Sequence, residues 1–133
     1  MKEVIAFLNA NPMGSLATVE EGKPRVRPWG FMLEEDGRLW FCTANTKDVF
    51  RQLQQNPAVE FTATSKEMVT VRVRGEVKFS KDMAMKNKII EHSPLVKSIY
   101  KTADNPVFEI FHLEHGKVVV ADFSGQPPKV LEF

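Results

Sequence analysis

Cysteine is almost missing from this chain, since Cys42 stands alone among 133 residues. An internal disulfide is thereby excluded, and there is no thiol cluster for zinc. Excess charge of either sign is also missing: 18 lysines and arginines stand against 17 aspartates and glutamates. That balance makes no electrostatic case for a nucleic-acid or membrane-surface partner. Residues 1–8 carry an early lysine and an acid around a short apolar run, which is poor for a signal peptide and too short for a membrane span. Internal repeats, low-complexity tracts and linker-like stretches are lacking as well. These absences lead us to expect a single domain over residues 1–133 with a real core, in a reducing, cytoplasmic setting.

What is present organises around residues 39–53. Leu39, Trp40, Phe41, Cys42 and Thr43 are apolar or β-forming and predict a strand. Val49, Phe50 and Leu53 share one side of a helix that Asn56-Pro57 ends. The polar turn between strand and helix offers Asn45 or Thr46 as N-cap. A strand running into a helix start gathers unpaired backbone N–H groups, where a phosphate binds well, and Lys47 adds a mobile positive charge. An ordinary capped helix with a surface lysine fits the same residues.

Around this stretch the spacing is that of an antiparallel barrel. Val4, Ile5 and Leu8 predict a short amphipathic helix ended by Asn9, Asn11 and Pro12. Strands are expected at 13–19 and 25–33, joined by Glu20-Glu21-Gly22-Lys23. Pro28 interrupts the second strand; having no N–H, it belongs at an edge, a bulge or beside something other than a neighbouring strand. Glu34-Glu35-Asp36-Gly37 is a tight turn. Strands follow at 58–64 and 68–79, the latter alternating Val69, Val71 and Val73 with Thr70, Arg72 and Arg74, and Gly75 suggests a bulge. Ser80-Lys81-Asp82 caps a helix to about Glu91, and Ser93-Pro94 opens another to Tyr100. Residues 107–113 and 117–123 predict the last strands, on either side of a turn at His115-Gly116. Six or seven strands with separate helices make a mainly β (α+β) fold, an antiparallel barrel with peripheral helices.

Several side chains invite a functional reading beside a plainer one. Arg27, next to Pro28 in an otherwise apolar strand, reads as a ligand contact or as a solvated arginine. Trp29 and Trp40 suit a core as well as a cofactor platform. Cys42 has no sequence neighbour that lowers its pKa and reads as a packing residue. His92, His112 and His115 lack metal-ligand spacing and read as turn or surface residues. Arg72 and Arg74 share a strand face that is either solvated or lines a groove. Tyr100 and Lys101 are candidates for substrate contact.

Three pieces, in this order and spacing, carry a resemblance: Val26-Arg27-Pro28-Trp29-Gly30-Phe31, Phe41-Cys42-Thr43-Ala44-Asn45-Thr46-Lys47, and Gln54-Gln55-Asn56-Pro57. With them the chain resembles the FMN-binding split β-barrel family of pyridoxamine 5′-phosphate oxidase, in particular its small members, over nearly its whole length. The resemblance implies a split antiparallel barrel, a homodimer with FMN sites at the subunit interface, and a small-molecule substrate. It puts Arg27 on the flavin phosphate, and Pro28 and Trp29 on the strand facing the isoalloxazine ring. Cys42 and Thr43 then lie beside the ribityl chain and ring, and Asn45, Thr46 and Lys47 form the phosphate loop. Where the longer oxidases use Ser-Arg-Lys, this chain has Thr46-Lys47-Asp48; Met32 replaces a further lysine, and the tail beyond Phe123 offers only Lys129 for a substrate phosphate. The implied function is an FMN-dependent oxidoreductase acting on a small, largely apolar or aromatic substrate rather than on pyridoxamine phosphate. The alternatives are a non-catalytic FMN-binding protein for storage, sensing or stress, and a relative using haem or the deazaflavin F420. Val69, Val71, Phe108 and Phe111 are expected to exceed what one barrel buries and to supply the dimer face.

Overall fold

The computed structural model describes residues 1–133. Helix α1 (Lys2–Ala10) precedes two hairpins, β1 (Met13–Glu20) with β2 (Lys23–Gly30), and β3 (Leu33–Glu35) with β4 (Arg38–Ala44). Glu21 and Gly22 have φ of 51° and 75°, and Asp36 and Gly37 have 54° and 78°. Two successive positive φ values make the two-residue turn whose twist suits its strands, so both hairpin registers follow from local turn chemistry. The chain continues through α2 (Asp48–Gln55), β5 (Ala58–Thr64), β6 (Thr70–Ser80), α3 (Met83–His92), α4 (Pro94–Tyr100), β7 (Phe108–Ala121) and β8 (Lys129–Glu132). Every pairing is antiparallel, in the order β2-β1-β5-β6-β7-β4-β3 with β8 added to β7. This is a mainly β split barrel with peripheral helices. No helix is long and apolar enough to cross a membrane.

Strand β2 ends the sheet, and its prolines suit that position. The tight turn makes Glu20 and Lys23 a hydrogen-bonded pair, so Arg25, Arg27 and Trp29 also bond toward β1. Pro24, Val26 and Pro28 then face the free edge, where a missing N–H costs no ladder bond. The edge placement expected for Pro28 holds, and it leaves the strand open along one side.

The core has two parts because the central strands are buried on both faces. Leu39 and Phe41 of β4 and Phe111 and Leu113 of β7 join Val4, Leu8, Val49, Leu53 and Phe61 inside the barrel. Trp40 and Ala44, with Phe108 and Ile110, face the other way, onto Met85, Ile89 and Ile90 of α3 and Val96 and Tyr100 of α4. Asp82 caps α3 through the amides of Ala84 and Met85, and Ser93 caps α4 through that of Val96, as the sequence indicates.

Five expectations need correction. Neither Asn45 nor Thr46 caps α2: Lys47 occupies the N-cap without a side-chain bond, because the Asn45 amide is drawn to Pro106 O at 2.9 Å and Glu109 Oε2 at 3.1 Å. His115-Gly116 is no turn but lies within the continuous β7, and the strands number eight. Gly116 pairs with Gly75, and a Cβ on either would come within 2.6 Å of a backbone oxygen, so these glycines mark a close strand approach next to the bulge between Gly75 and Val77. His112 is buried, 4.5 Å from the Trp40 ring between centroids. Finally, Val71, Phe108 and Phe111 are fully enclosed within one chain and Val69 is half-buried, and the exposed large apolar side chains are Met13, Val26, Leu95 and Ile99, with Met68, Met83, Phe123 and Val130 elsewhere.

Candidate functional site

Two cavities meet where the free edge of β2 passes the end of β4. One, of about 510 Å³, is largely apolar, walled by Phe31, Met32, Cys42, Val96, Ile99 and Tyr100 among others. The other, of about 400 Å³, is polar, with Arg25, Arg27, Asp48 and Gln52 in its wall. Pro28, Trp29 and Lys47 belong to both. Both volumes fall within the ~300–1,000 Å³ usual for cofactor and ligand sites.

Three elements converge on the polar cavity. From β2, the half-buried Arg27 guanidinium donates through Nη1 to Leu16 O at 3.2 Å and Thr18 Oγ1 at 2.9 Å, both on β1. Its Nη2 donates to Gln52 Oε1 of α2 at 2.6 Å. Desolvation lowers the Arg27 pKa from its usual 12.5, opposed by the field of Asp48. Glu20, also at the wall, is occupied by Arg51 at 2.6 Å and Arg25 at 3.2 Å, which together hold its carboxyl below the ordinary range. The first turn of α2 has no side-chain cap, and its Asp48 and Val49 stand at the same wall. Unpaired helix-start N–H groups beside a fixed arginine and an exposed lysine form an arrangement that accepts an anion.

The apolar cavity lies between barrel and helical hairpin. Trp29 and Phe31 come from the barrel core, and Val96 and Tyr100 from the cluster under α4. Met13 and Met32 lean over Gly30, where an added Cβ would sit 3.3 and 3.2 Å from their ends. Cys42 is half-buried, and burial pushes its thiol up to about 12 against a smaller opposing pull from Lys47. Burial likewise raises Tyr100, which therefore keeps its O–H at ordinary pH. The Trp29 Nε1 is buried without a partner.

Of the residues singled out in the sequence, Arg27, Pro28, Trp29, Cys42 and Lys47 are brought together here. Thr43 is fully buried with its hydroxyl unpartnered, and Asn45 and Thr46 are exposed and line neither cavity. Arg72 and Arg74 are exposed, Arg72 lying 3.7 Å from Glu60. Thr18 and Gln52 escaped the sequence reading. The available signal was Gln52 at helical spacing with Val49 and Leu53, a polar residue on the buried face of α2.

Comparison with known proteins gives the family and the fold. The sequence model described as pyridoxamine 5′-phosphate oxidase matches residues 1–120. A NimC/NimA family protein from Clostridium acetobutylicum is 32% identical with a TM-score of 0.91, over 100% of this chain and 92% of that one. A pyridoxamine 5′-phosphate oxidase-related, FMN-binding protein from Nostoc punctiforme is 18% identical, with a TM-score of 0.75 over 98% and 88% of the two chains. A haem-binding protein from Mycobacterium smegmatis, 19% identical, has a TM-score of 0.76 over 96% of this chain and 54% of that one. The last two likenesses, at such low identity, concern the fold alone. No curated protein matches the sequence. With the family model spanning most of its length, the chain belongs to the pyridoxamine 5′-phosphate oxidase family.

Proposed function

We propose that the protein is an FMN-dependent oxidoreductase for a small, uncharged, apolar or aromatic substrate. The observation that carries this reading is the junction of a polar and an apolar cavity along Pro28 and Trp29. A phosphorylated flavin has the same division, with a dianion at one end and a planar ring at the other. Arg27 and Lys47 suit the phosphate; Pro28, Trp29 and Cys42 suit the ring side, where Trp29 Nε1 is a donor still lacking a partner. When bound, FMN supplies the electron and hydride transfer, and the chain's own part is to bind, orient and exclude water. Membership of the pyridoxamine 5′-phosphate oxidase family supports this assignment.

Exposed Met13, Leu95 and Ile99 rim the apolar cavity, and exposed Val26 stands at the polar one. These four exposed apolar side chains at the site mouths, half of the large ones that the chain exposes, support a homodimer that completes each site across a two-fold interface. One free thiol suits a reducing, cytoplasmic compartment.

The deciding experiment begins with the absorbance of purified protein titrated with FMN, and continues with anaerobic mixing with NADH or NADPH and then with a quinone or nitroaromatic. Flavin reduction followed by fast reoxidation is expected. FMN binding without reduction by either nucleotide would leave a storage or sensing protein. His92 in the apolar cavity favours haem as the second cofactor reading, through an imidazole ligand; a Soret band on haem addition, with no flavin uptake, would establish it.

A further inference from the structure

We propose that Gln52 is a positioning residue for phosphate recognition: its side-chain carbonyl fixes Arg27 and Thr18 so that the guanidinium presents its remaining donors to a phosphomonoester. This rests on the reading that the flavin phosphate enters the polar cavity.

An arginine at a cavity wall gives up rotamer freedom when it is held in one geometry. Here the ordering is done before any ligand arrives. Leu16 O, Thr18 Oγ1 and Gln52 Oε1 accept three of the five guanidinium N–H groups, leaving two. Gln52 is only 3% exposed, and its Oε1 accepts at 2.6 Å from Thr18 as well as at 2.6 Å from Arg27. Two elements, β1 and α2, are thus tied to the arginine of a third.

The neutrality of the acceptor matters. A glutamate at this position would hold Arg27 equally well but would cancel its charge, leaving little attraction for a dianion. A leucine would fill the space and free the guanidinium. Glutamine fixes the cation without adding a negative charge of its own. The neighbouring carboxylate of Glu20 does not compete, since Arg25 and Arg51 hold it, and Asp48 is exposed and shares Arg51 at 3.6 Å. With Arg27 desolvated, an arriving phosphate gains more from it than from a solvated arginine.

The test uses the full chain, with FMN and riboflavin as probes, flavin fluorescence as binding readout and thermal denaturation of the ligand-free protein beside it. Wild type is expected to prefer FMN by about a hundredfold or more. Gln52→Leu is expected to weaken FMN about tenfold or more while riboflavin stays within about twofold. Gln52→Glu should weaken FMN at least as far while the melting temperature holds or rises, a separation that a merely structural residue would not produce. Equal wild-type affinity for FMN and riboflavin, or an FMN preference that survives Arg27→Ala, would overturn the phosphate reading itself. An FMN preference that Arg27→Ala abolishes but both Gln52 variants retain would overturn the positioning role alone.

Discussion

Lys47 Nζ stands 5.9 Å from the centroid of the Trp29 ring, and both residues border both cavities. The pair sits where a charge-binding pocket becomes an apolar one. At an exposed site such a contact is worth about 0.5–1 kcal/mol, enough to bias the lysine toward the junction without locking it there. Arg27, by contrast, is held by three acceptors. The two cations should therefore differ in their effect. Arg27→Ala is expected to weaken FMN by roughly 2–5 kcal/mol, the cost of removing one partner of a desolvated pair. Lys47→Ala should cost less and should shift Trp29 emission. Calorimetric titration with FMN and riboflavin checks both, and equal losses for the two ligands would remove these residues from the phosphate.

Gly14 tests the packing of the barrel. A Cβ there would lie 1.9 Å from Thr62 O, and backbone cannot step aside as a side chain can. Gly14→Ala should force β1 from β5 and cost about 3 kcal/mol or more, the upper end for overpacking. Urea denaturation would show it, and a loss under about 1 kcal/mol would mean that the strands separate freely.

Stability should fall with acid in two windows. Burial first, then Arg38, lowers His112 from its usual 6.5, so the unfolded chain binds a proton that the folded protein resists. The contribution of neutral His112 is present above pH 6.5 and lost as pH falls below it. Glu114, bonded by Lys78 at 2.8 Å and Arg38 at 2.6 Å, is held down to about 2. Its contribution is present above 4.5 and lost as pH falls from there toward 2. His112→Phe should flatten the urea midpoint in the first window, and Glu114→Gln in the second. An unchanged profile in His112→Phe would show that another group drives the first loss.

Cys42 should be a poor nucleophile despite lining a cavity. With its thiol pushed up to about 12, very little thiolate exists near neutrality. Alkylation by iodoacetamide at pH near 8 should run about a hundredfold or more slower than for a free cysteine, and denaturant should restore the rate. Fast labelling of the folded protein would contradict the buried environment.

Much of the frame was legible because it is local. The Glu21-Gly22 and Asp36-Gly37 turns, Pro28 at an edge and the caps Asp82 and Ser93 are each settled by the backbone needs of a few neighbouring residues. What escaped depends on contacts distant in sequence. Asn45 has good N-cap chemistry, but β7 brings Pro106 and Glu109 to it, and those acceptors win. Gly116 beside His115 looks like a turn until Gly75 is known to lie opposite. Gln52 bonds Arg27 across a separation of 25 residues and Thr18 across 34, a juxtaposition no local pattern reveals. Arg27, Pro28 and Lys47 were visible as chemistry; the acceptor that orders the arginine was not.

The substrate should differ from that of the oxidases that give the family its name. Oxidation of a vitamin phosphate needs a second anion site over the flavin, with several converging donors. In the apolar cavity the only side chains able to carry positive charge are Lys47, which also borders the polar cavity, and His92. The remaining wall is aromatic, aliphatic, thioether, thiol or hydroxyl, and Met32 sits where a lysine would strengthen the site. A phosphate there would find few charged partners along a largely apolar wall, whereas a neutral planar acceptor would lose no charge pairing. Turnover of pyridoxamine or pyridoxine phosphate should be undetectable, and a quinone or nitroaromatic should reoxidise the reduced flavin faster than oxygen alone. Met32→Lys should then begin to admit anionic acceptors. Saturable pyridoxal phosphate formation at about one per second or more, the low end of ordinary enzyme turnover, would overturn the assignment.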